Sequence, residues 1–303
     1  MFFCKRKHTF LMKDQNILEP INQLLRKHLG NSLEIISVDE KGGGSINSAA
    51  VFRTNEGNFF AKWNTIQGRK GMFEAEKKGL QMLESANEIR IPKPIDFVET
   101  DTHCYLLMEH MEATDFDFDF WEVFGSRLAK LHKHTAEKFG LDHNNFIGSL
   151  PQVNTQKNTW AEFFIENRIQ PQLKLAIDSG KADAPLVQKF ENLYTKLDEI
   201  FPSEKPSLLH GDLWGGNFMC TLDGDPAIYD PAVYYGHREM DLSMSRLFGG
   251  FDSEFYESYN EEFPLAPGFD KRIDLCNLYP LLVHVNLFPG SYIQSVKHIV
   301  SRF

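Results

Sequence analysis

The sequence predicts an α+β protein of two unlike halves, a strand-rich first third and a mostly helical remainder. Two observations carry this. Between residues 33 and 111, short β-branched and aromatic runs alternate with glycine and polar turns. From about residue 121 onward, apolar residues recur at helical spacing over long stretches. A third observation interrupts the helical half. The stretch "LLHGDLWGGNFM" at 208–219 gathers His210, Asp212 and Asn217 where a buried strand reads as ending.

Taken in order, "DQNILEPINQLLRKHLG" has apolar residues at helical spacing and closes on Gly30, which predicts an opening helix. "LEIISVDEKGGGSINSAAVFRTNEGNFFAKWN" reads as three strands, broken by glycines at 42–44 and by a hairpin-type "NEG" at 55–57. "GMFEAEKKGLQMLESA" returns to helical periodicity, and "IPKPIDFVETDTHCYLLMEHM" gives two more strands around a polar turn. Helices follow in "WEVFGSRLAKLHKHT", "TWAEFFIENRIQPQLKLAI", "LVQKFENLYTKLDEIF" and "RIDLCNLYPLLVHVNLF". "MCTLDGDPAIYD" reads instead as strand, tight turn at 223–226 and strand. The acidic-aromatic run "DFDFDF" at 115–120 is expected to be a solvated segment.

Composition narrows the function classes. The 303 residues are 42% apolar and 24% charged, the balance of a globular chain with a substantial core, and Phe is over-used at 26. A formal net charge of −10 argues against nucleic-acid and anionic-membrane partners, which favour basic surfaces. Cys4, Cys104, Cys220 and Cys276 form no C-x-x-C pair and read as reduced thiols. With no signal peptide and no apolar run near about 18 residues, the expectation is a cytoplasmic protein, a monomer or weak dimer. Residues 1–13 are expected to be a tail, with Met12 as a second start.

The glycine cluster "GGGSIN" lacks the third glycine of a dinucleotide fingerprint, since Asn47 stands there, and a strand rather than a helix follows it. A glycine loop between antiparallel strands suits folding over phosphates, with Gly43, Gly44, Ser45 and Asn47 as its contacts; an ordinary turn has the same composition. Lys62 lies inside the apolar strand "FFAKWN", either on a solvated face or held inward by phosphates and a carboxylate. Glu74 and Glu76 on the next helix are the available carboxylates, and Glu76 leads Leu80 and Leu83 at helical spacing. Loop, lysine and glutamate in that order form the phosphate-handling half of a kinase ATP site.

His210-x-Asp212-x-x-x-x-Asn217 then has the spacing of a kinase catalytic loop, with Gly211 where protein kinases carry arginine. Asp230 ends an apolar strand thirteen residues past Asn217. Phosphoryl transfer from ATP needs Mg²⁺ on the phosphates, and the hard oxygens of Asn217 and Asp230 suit that cation. It also needs a carboxylate to orient the acceptor hydroxyl and take its proton, the role expected of Asp212. His210 is expected to shape the loop by hydrogen bonding. Singly, these residues also fit a capping Asp, a turn Asn and a core His; in this chain order they are a strong signal of phosphoryl-transfer chemistry. Trp214, two residues past Asp212, could set a flat ring beside an acceptor or simply pack.

"HGD" with glycine resembles the aminoglycoside-phosphotransferase-like branch of the kinase fold, which implies an α+β, two-lobed, protein-kinase-like architecture with lobes expected at 14–111 and 112–303. "LLHGDLWGGNFM", "IYDPAVYYGHREMDLSMSRLFGG", "HVNLFPGSYIQ", "GRKGMFEAEKKGLQML", "FIGSLPQVN" and "TWAEFFIENRIQPQL" resemble the fructosamine kinase, or ketosamine-3-kinase, family, nearly the whole chain from about residue 14. The resemblance implies a MgATP-dependent kinase of the C3 hydroxyl of sugars attached to amines, acting on small ketosamines or glycated proteins. It implies that Lys62 contacts the α/β-phosphates and Glu76 holds it, and that backbone groups of Glu109 and Met111 in "LLMEHM" meet adenine. It further implies that Asp241 braces the catalytic loop, with His284 as a further substrate candidate. Ser45 stands where some members carry cysteine, so thiol regulation of the loop is not expected. The alternatives are a kinase of an aminoglycoside or choline-like amine, a nucleotide binder without catalysis, and a metal hydrolase using His210 and Asp212 with His132, His134, Asp142 and His143.

Overall fold

The computed structural model describes residues 15–42 and 46–303. The expected tail at 1–13, Cys4, and the loop residues Gly43, Gly44 and Ser45 lie outside them. The described chain forms two compact units, one ending at Gln81 and taking in Pro92–Glu112, the other comprising Met82–Ile91 and Ala113–Phe303.

The first unit carries, in chain order, α1 (Gln15–Leu29), β1 (Ile35–Lys41), β2 (Ser48–Thr54), β3 (Gly57–Thr65), most of α2 (Met72–Ala86, whose residues 82–86 fall in the second unit), β4 (Pro94–Glu99) and β5 (His103–Glu109). The strands form one antiparallel sheet in the order β1-β2-β3-β5-β4. Ala61 and Trp63 turn the same way from β3 and pack with Ala50, Phe52, Tyr105 and Leu107 against Ile21, Leu24 and Leu25 of α1. Strand alternation therefore sends Lys62, between them, to the opposite face. Apolar burial on both sides of β3 explains why a continuous hydrophobic run encloses a charged residue.

Asp96 on β4 ties both helices to the sheet. Its carboxylate accepts from Lys27 at 2.7 Å and Lys77 at 3.2 Å, with His28 at 2.9 Å. Burial pushes this carboxyl up, but the hydrogen bonds from Lys27, His28, the Phe97 N–H and Lys77 outweigh it and hold it well below the usual carboxylate range. A depressed carboxyl stabilises the fold above its unfolded pKa of about 4, and that contribution is lost as pH falls toward the folded value. Asp96→Asn should therefore cost about 1–2 kcal/mol at pH 7 and much less at pH 2. Urea unfolding at both pH values checks this; an equal cost at both would contradict it.

In the second unit, helix Phe120–His132 packs on helix Ser253–Glu262. Short strands surround the catalytic-loop segment: Ser207–Leu209 pairs with Tyr234–Gly236, and Phe218–Thr221 pairs with both Pro226–Ile228 and Ala113–Thr114. Three predicted helices are interrupted. "TWAEFFIENRIQPQLKLAI" runs as Trp160–Phe163, a π-helical stretch Phe164–Ile169, and Gln170–Asp178. Pro171 has no N–H to give to the preceding turn, and the wider turn falls immediately before it. "LVQKFENLYTKLDEIF" turns after Tyr194, and "RIDLCNLYPLLVHVNLF" breaks at Asn277, whose Nδ2 instead donates to Ser243 O at 2.9 Å.

The "DFDFDF" run is only partly solvated. Phe118 is 99% exposed, whereas Phe120 is fully buried and stacks on Phe116 at 4.6 Å. Cys104, Cys220 and Cys276 are buried free thiols, each with its pKa pushed up by burial. Among the described residues, no helix is long and apolar enough to cross a membrane.

Candidate active site

Lys62 is buried, and its Nζ meets the Glu76 carboxylate as an ion pair, with the ring of Phe73 5.7 Å away. Glu74, the other carboxylate available on α2, turns outward and pairs with Lys78 one turn on at 2.9 Å, both half exposed. The difference has a measurable result. Glu76→Ala strips a buried ammonium of its partner and should cost about 3 kcal/mol or more, whereas Glu74→Ala removes an exposed i,i+4 pair of about 0.5 kcal/mol. Equal effects of the two substitutions in denaturant titrations would reverse the assignment.

β1 and β2 run antiparallel, Lys41 facing Ala49, so residues 42–47 join them as the sequence suggests. The far end of that loop is tied down. Asn64 Nδ2 donates to Ile46 O at 2.6 Å and to Asn47 Oδ1 at 2.9 Å. The side-chain oxygen of Asn47 is thus already engaged by the sheet. At the end of β5, the Glu109 N–H donates to Lys93 O at 2.9 Å, and the Lys93 N–H donates to the Glu109 carboxylate at 3.2 Å. Met111 lies two residues past the end of the strand.

In the second unit, the segment from His210 to Asn217 is held from beneath by Asp241. Its Oδ2 accepts from the His210 N–H at 2.7 Å and its Oδ1 from the Gly211 N–H at 2.9 Å. His132 approaches the same carboxylate at 3.2 Å through Nε2, while its Nδ1 meets Tyr259 OH at 2.8 Å. His210 is buried and locked in one tautomer. Nε2–H donates to Tyr229 O at 2.9 Å and Nδ1 accepts from the Asp212 N–H at 3.3 Å. Burial lowers its pKa, so it shapes the loop as a neutral ring.

Gly211 has φ +83°, and a Cβ there would lie 2.1 Å from Ala232 O. The loop and the segment following Asp230 touch backbone to backbone at that point, and only glycine permits it. Asn217 Nδ2 donates to Asp212 O at 2.9 Å and to Asp212 Oδ2 at 3.2 Å. This turns the amide so that Oδ1 is its remaining oxygen donor. Asp230 is exposed and adopts a left-handed φ of 55°, rare for a non-glycine residue and frequent at working sites. The Asp212 carboxyl is pushed up to about 7, first by burial and then by the charge of Asp230, against the hydrogen bond from Asn217. Asn217 Oδ1 and the carboxylates of Asp212 and Asp230 form a hard-oxygen set. That chemistry fits Mg²⁺.

Asp212 opens into a cavity walled by Tyr234, Tyr279, His284, Met240 and Met244. His284 Nδ1 lies 2.7 Å from Pro280 O, which can only accept, so Nδ1 carries the proton and Nε2 is a lone pair. Burial lowers the pKa of this ring and keeps it neutral. Trp214 does not pack in the core. It is 38% exposed, lies across Gly216, where a Cβ would meet its ring at 2.4 Å, and stands edge-on to Phe248 at 6.2 Å.

The cavity's rear support escaped the sequence reading. Arg168, fully buried on the π-helical stretch, lies 3.9 Å from the Tyr234 ring centroid and donates to Val153 O and Asn154 Oδ1. Asn154 and Gln152 both donate to Asn145 Oδ1. Gln152 also donates to Ala232 O and accepts from Tyr279 OH at 2.6 Å. Polar residues inside the apolar string "FFIENRIQ" were the available signal. The residues weighed for a metal hydrolase do not converge: His132 turns to Asp241 and Tyr259, His134 to Glu88, and His143 to exposed Asp142. Among the described residues no group of three or more His, Cys, Asp or Glu is arranged to hold a metal. The hard-oxygen set above, with one amide, is of a different kind.

The family described as fructosamine kinase matches residues 17–303. The chain belongs to that family. A chloroplastic protein-ribulosamine 3-kinase of Oryza sativa subsp. indica is 39% identical over 94% of this chain and 83% of its own. The ketosamine-3-kinase of Mus musculus is 32% identical over 91% and 97%. A crystal structure from Haemophilus somnus, itself provisionally described as a fructosamine-3-kinase, superposes with a TM-score of 0.83 at 30% identity, covering 93% of this chain and 96% of that one. An amicoumacin kinase in complex with AMP-PNP, Ca²⁺ and Ami shares the fold, with a TM-score of 0.61 at 14% identity over 95% and 94%. That likeness is one of fold, a strand-rich and a helical unit.

Proposed function

We propose that this protein transfers the γ-phosphoryl group of ATP to the C3 hydroxyl of a ketosamine, with residues 14–111 handling the nucleotide and residues 112–303 the acceptor. The observation that carries the reading is Asp212: a half-buried carboxylate on a loop braced by Asp241, facing a cavity, with Asn217 and Asp230 beside it. Asp212 orients the C3 hydroxyl and takes its proton as the oxygen attacks phosphorus. Lys62, held by Glu76, steadies the α/β-phosphates, covered by the loop of Gly43, Gly44 and Ser45. The main chain at Glu109 and Met111 meets adenine.

Asn217 and Asp230 would hold Mg²⁺, which when bound neutralises phosphate charge. Burial and the charge of Asp230 both raise the Asp212 carboxyl, so a cation covering Asp230 would favour its ionised, proton-accepting form. His284 offers its Nε2 lone pair to a hydroxyl or ammonium of the acceptor. Catalysis is then chiefly positioning of groups already in place.

The consequence follows from the acceptor's own chemistry. In a ketosamine C2 is a carbonyl and C1 bears the amine, so the compound enolises to a 1,2-enaminol. A C3 hydroxyl leaves poorly from that species, but a C3 phosphate departs with the bonding electron pair as inorganic phosphate. Water hydrolyses the resulting imine, freeing the amine and a dicarbonyl sugar. The function is repair of glycated amines. Phosphorus and carbon NMR of reactions with fructosyl- and ribulosyl-lysine test it, expecting a transient C3 ester followed by inorganic phosphate and free lysine. A stable ester on another carbon, or transfer to an aminoglycoside but to no ketosamine, would overturn it.

A further inference from the structure

Three rings make a path from the cavity wall to the surface. His284 lines the cavity with Asp212, Phe248 lies 4.7 Å from His284, and Trp214 stands 6.2 Å beyond Phe248. Phe248 and Trp214 are 39% and 38% exposed, at the end of helix Glu239–Leu247 and in the catalytic-loop segment respectively. Neither is needed to fill the core. Holding Trp214 where it is requires a bare Gly216 beneath its ring.

We infer that Phe248, with Trp214 and His284, binds the amine half of the acceptor, and that Phe248 sets a preference for amines with a long aliphatic stem. The inference rests on the ketosamine reading above. If C3 faces Asp212, the nitrogen is only three bonds further along, through C2 and C1, and the substituent on nitrogen must leave the cavity past its wall. At neutral pH that nitrogen is a secondary ammonium, which the faces of aromatic rings attract. The methylenes that follow it in a lysine adduct are apolar and gain by covering exposed ring surface. Asp212 and the loop beneath it touch the sugar alone and give no discrimination among amines. The rim supplies it.

The test uses the 1-deoxyfructose adducts of methylamine, n-butylamine and the lysine ε-amine as matched acceptors. In the parent protein kcat/KM should rise from the methyl to the butyl and lysyl adducts. In Phe248→Ser the butyl-to-methyl ratio should fall about tenfold, expressed in KM rather than kcat, because two methylenes lose their cover. Phe248→Tyr keeps the ring and should restore the ratio. Since Phe248 is exposed, an unchanged melting temperature shows that the variant is folded. A uniform loss across the three adducts, or a loss confined to kcat, overturns the inference while leaving the ketosamine reading standing. Failure of the parent to phosphorylate any of the three removes that reading and the inference with it.

Discussion

Asp212→Asn should give a protein that still binds ATP, melts at a higher temperature than its parent at pH 8, and turns over about 10²–10⁴ times more slowly. The rate falls because the amide keeps the shape of the carboxylate and its contact with Asn217 but cannot take the proton of the acceptor hydroxyl. The stability gain has the opposite sign for a physical reason. The folded-state pKa of about 7 lies above the ordinary carboxylate value. The proton is bound more tightly in the folded chain, so the contribution is fully present below about pH 4 and is lost as pH rises through 7. At pH 8 the parent carries an ionised carboxylate next to Asp230; the variant does not. Thermal melts without nucleotide should show a difference of a few degrees at pH 8 that shrinks toward pH 5. Near-parental turnover would sink the assignment of Asp212, and a pH-independent difference would sink the electrostatic account.

Asp230→Asn should weaken Mg²⁺-dependent nucleotide binding by about 10²-fold, with little change in the affinity measured in EDTA. Asparagine is the right replacement because it tolerates the left-handed φ of 55°. Alanine at this position would add backbone strain to the loss of the carboxylate and confuse the two. Calorimetry with ADP, with and without Mg²⁺, separates them. If parent and variant bind MgADP equally, Asp230 is not a ligand.

The strands and the lysine–glutamate pair were legible because each is encoded locally. Alternation around Lys62 and the helical spacing of Glu76 with Leu80 and Leu83 need only neighbouring residues. The same spacing could not separate Glu74 from Glu76 without knowing which face of the helix meets the sheet. The loop from His210 to Asn217 was legible as a spacing, and His210 does serve the loop's shape rather than exposing a nitrogen. What stayed hidden depends on distant partners. The pairing of Ser207–Leu209 with Tyr234–Gly236 joins segments too short to show alternation. The Arg168 network joins residues 145–168 to residues 232 and 279. Phe248 reads as a core phenylalanine among the 26 of the sequence, and only its exposure distinguishes it.

The close approach of Gly211 to Ala232 O also limits how such an enzyme can be controlled. Many protein kinases are switched on when a phosphate added to a flexible segment pairs with the arginine that precedes the catalytic aspartate. Here any side chain at that position would drive into a carbonyl, so that relay has no socket. A phosphate added to a neighbouring segment therefore finds no arginine at this position to pair with, and the loop's shape is set by Asp241 and the glycine contact instead.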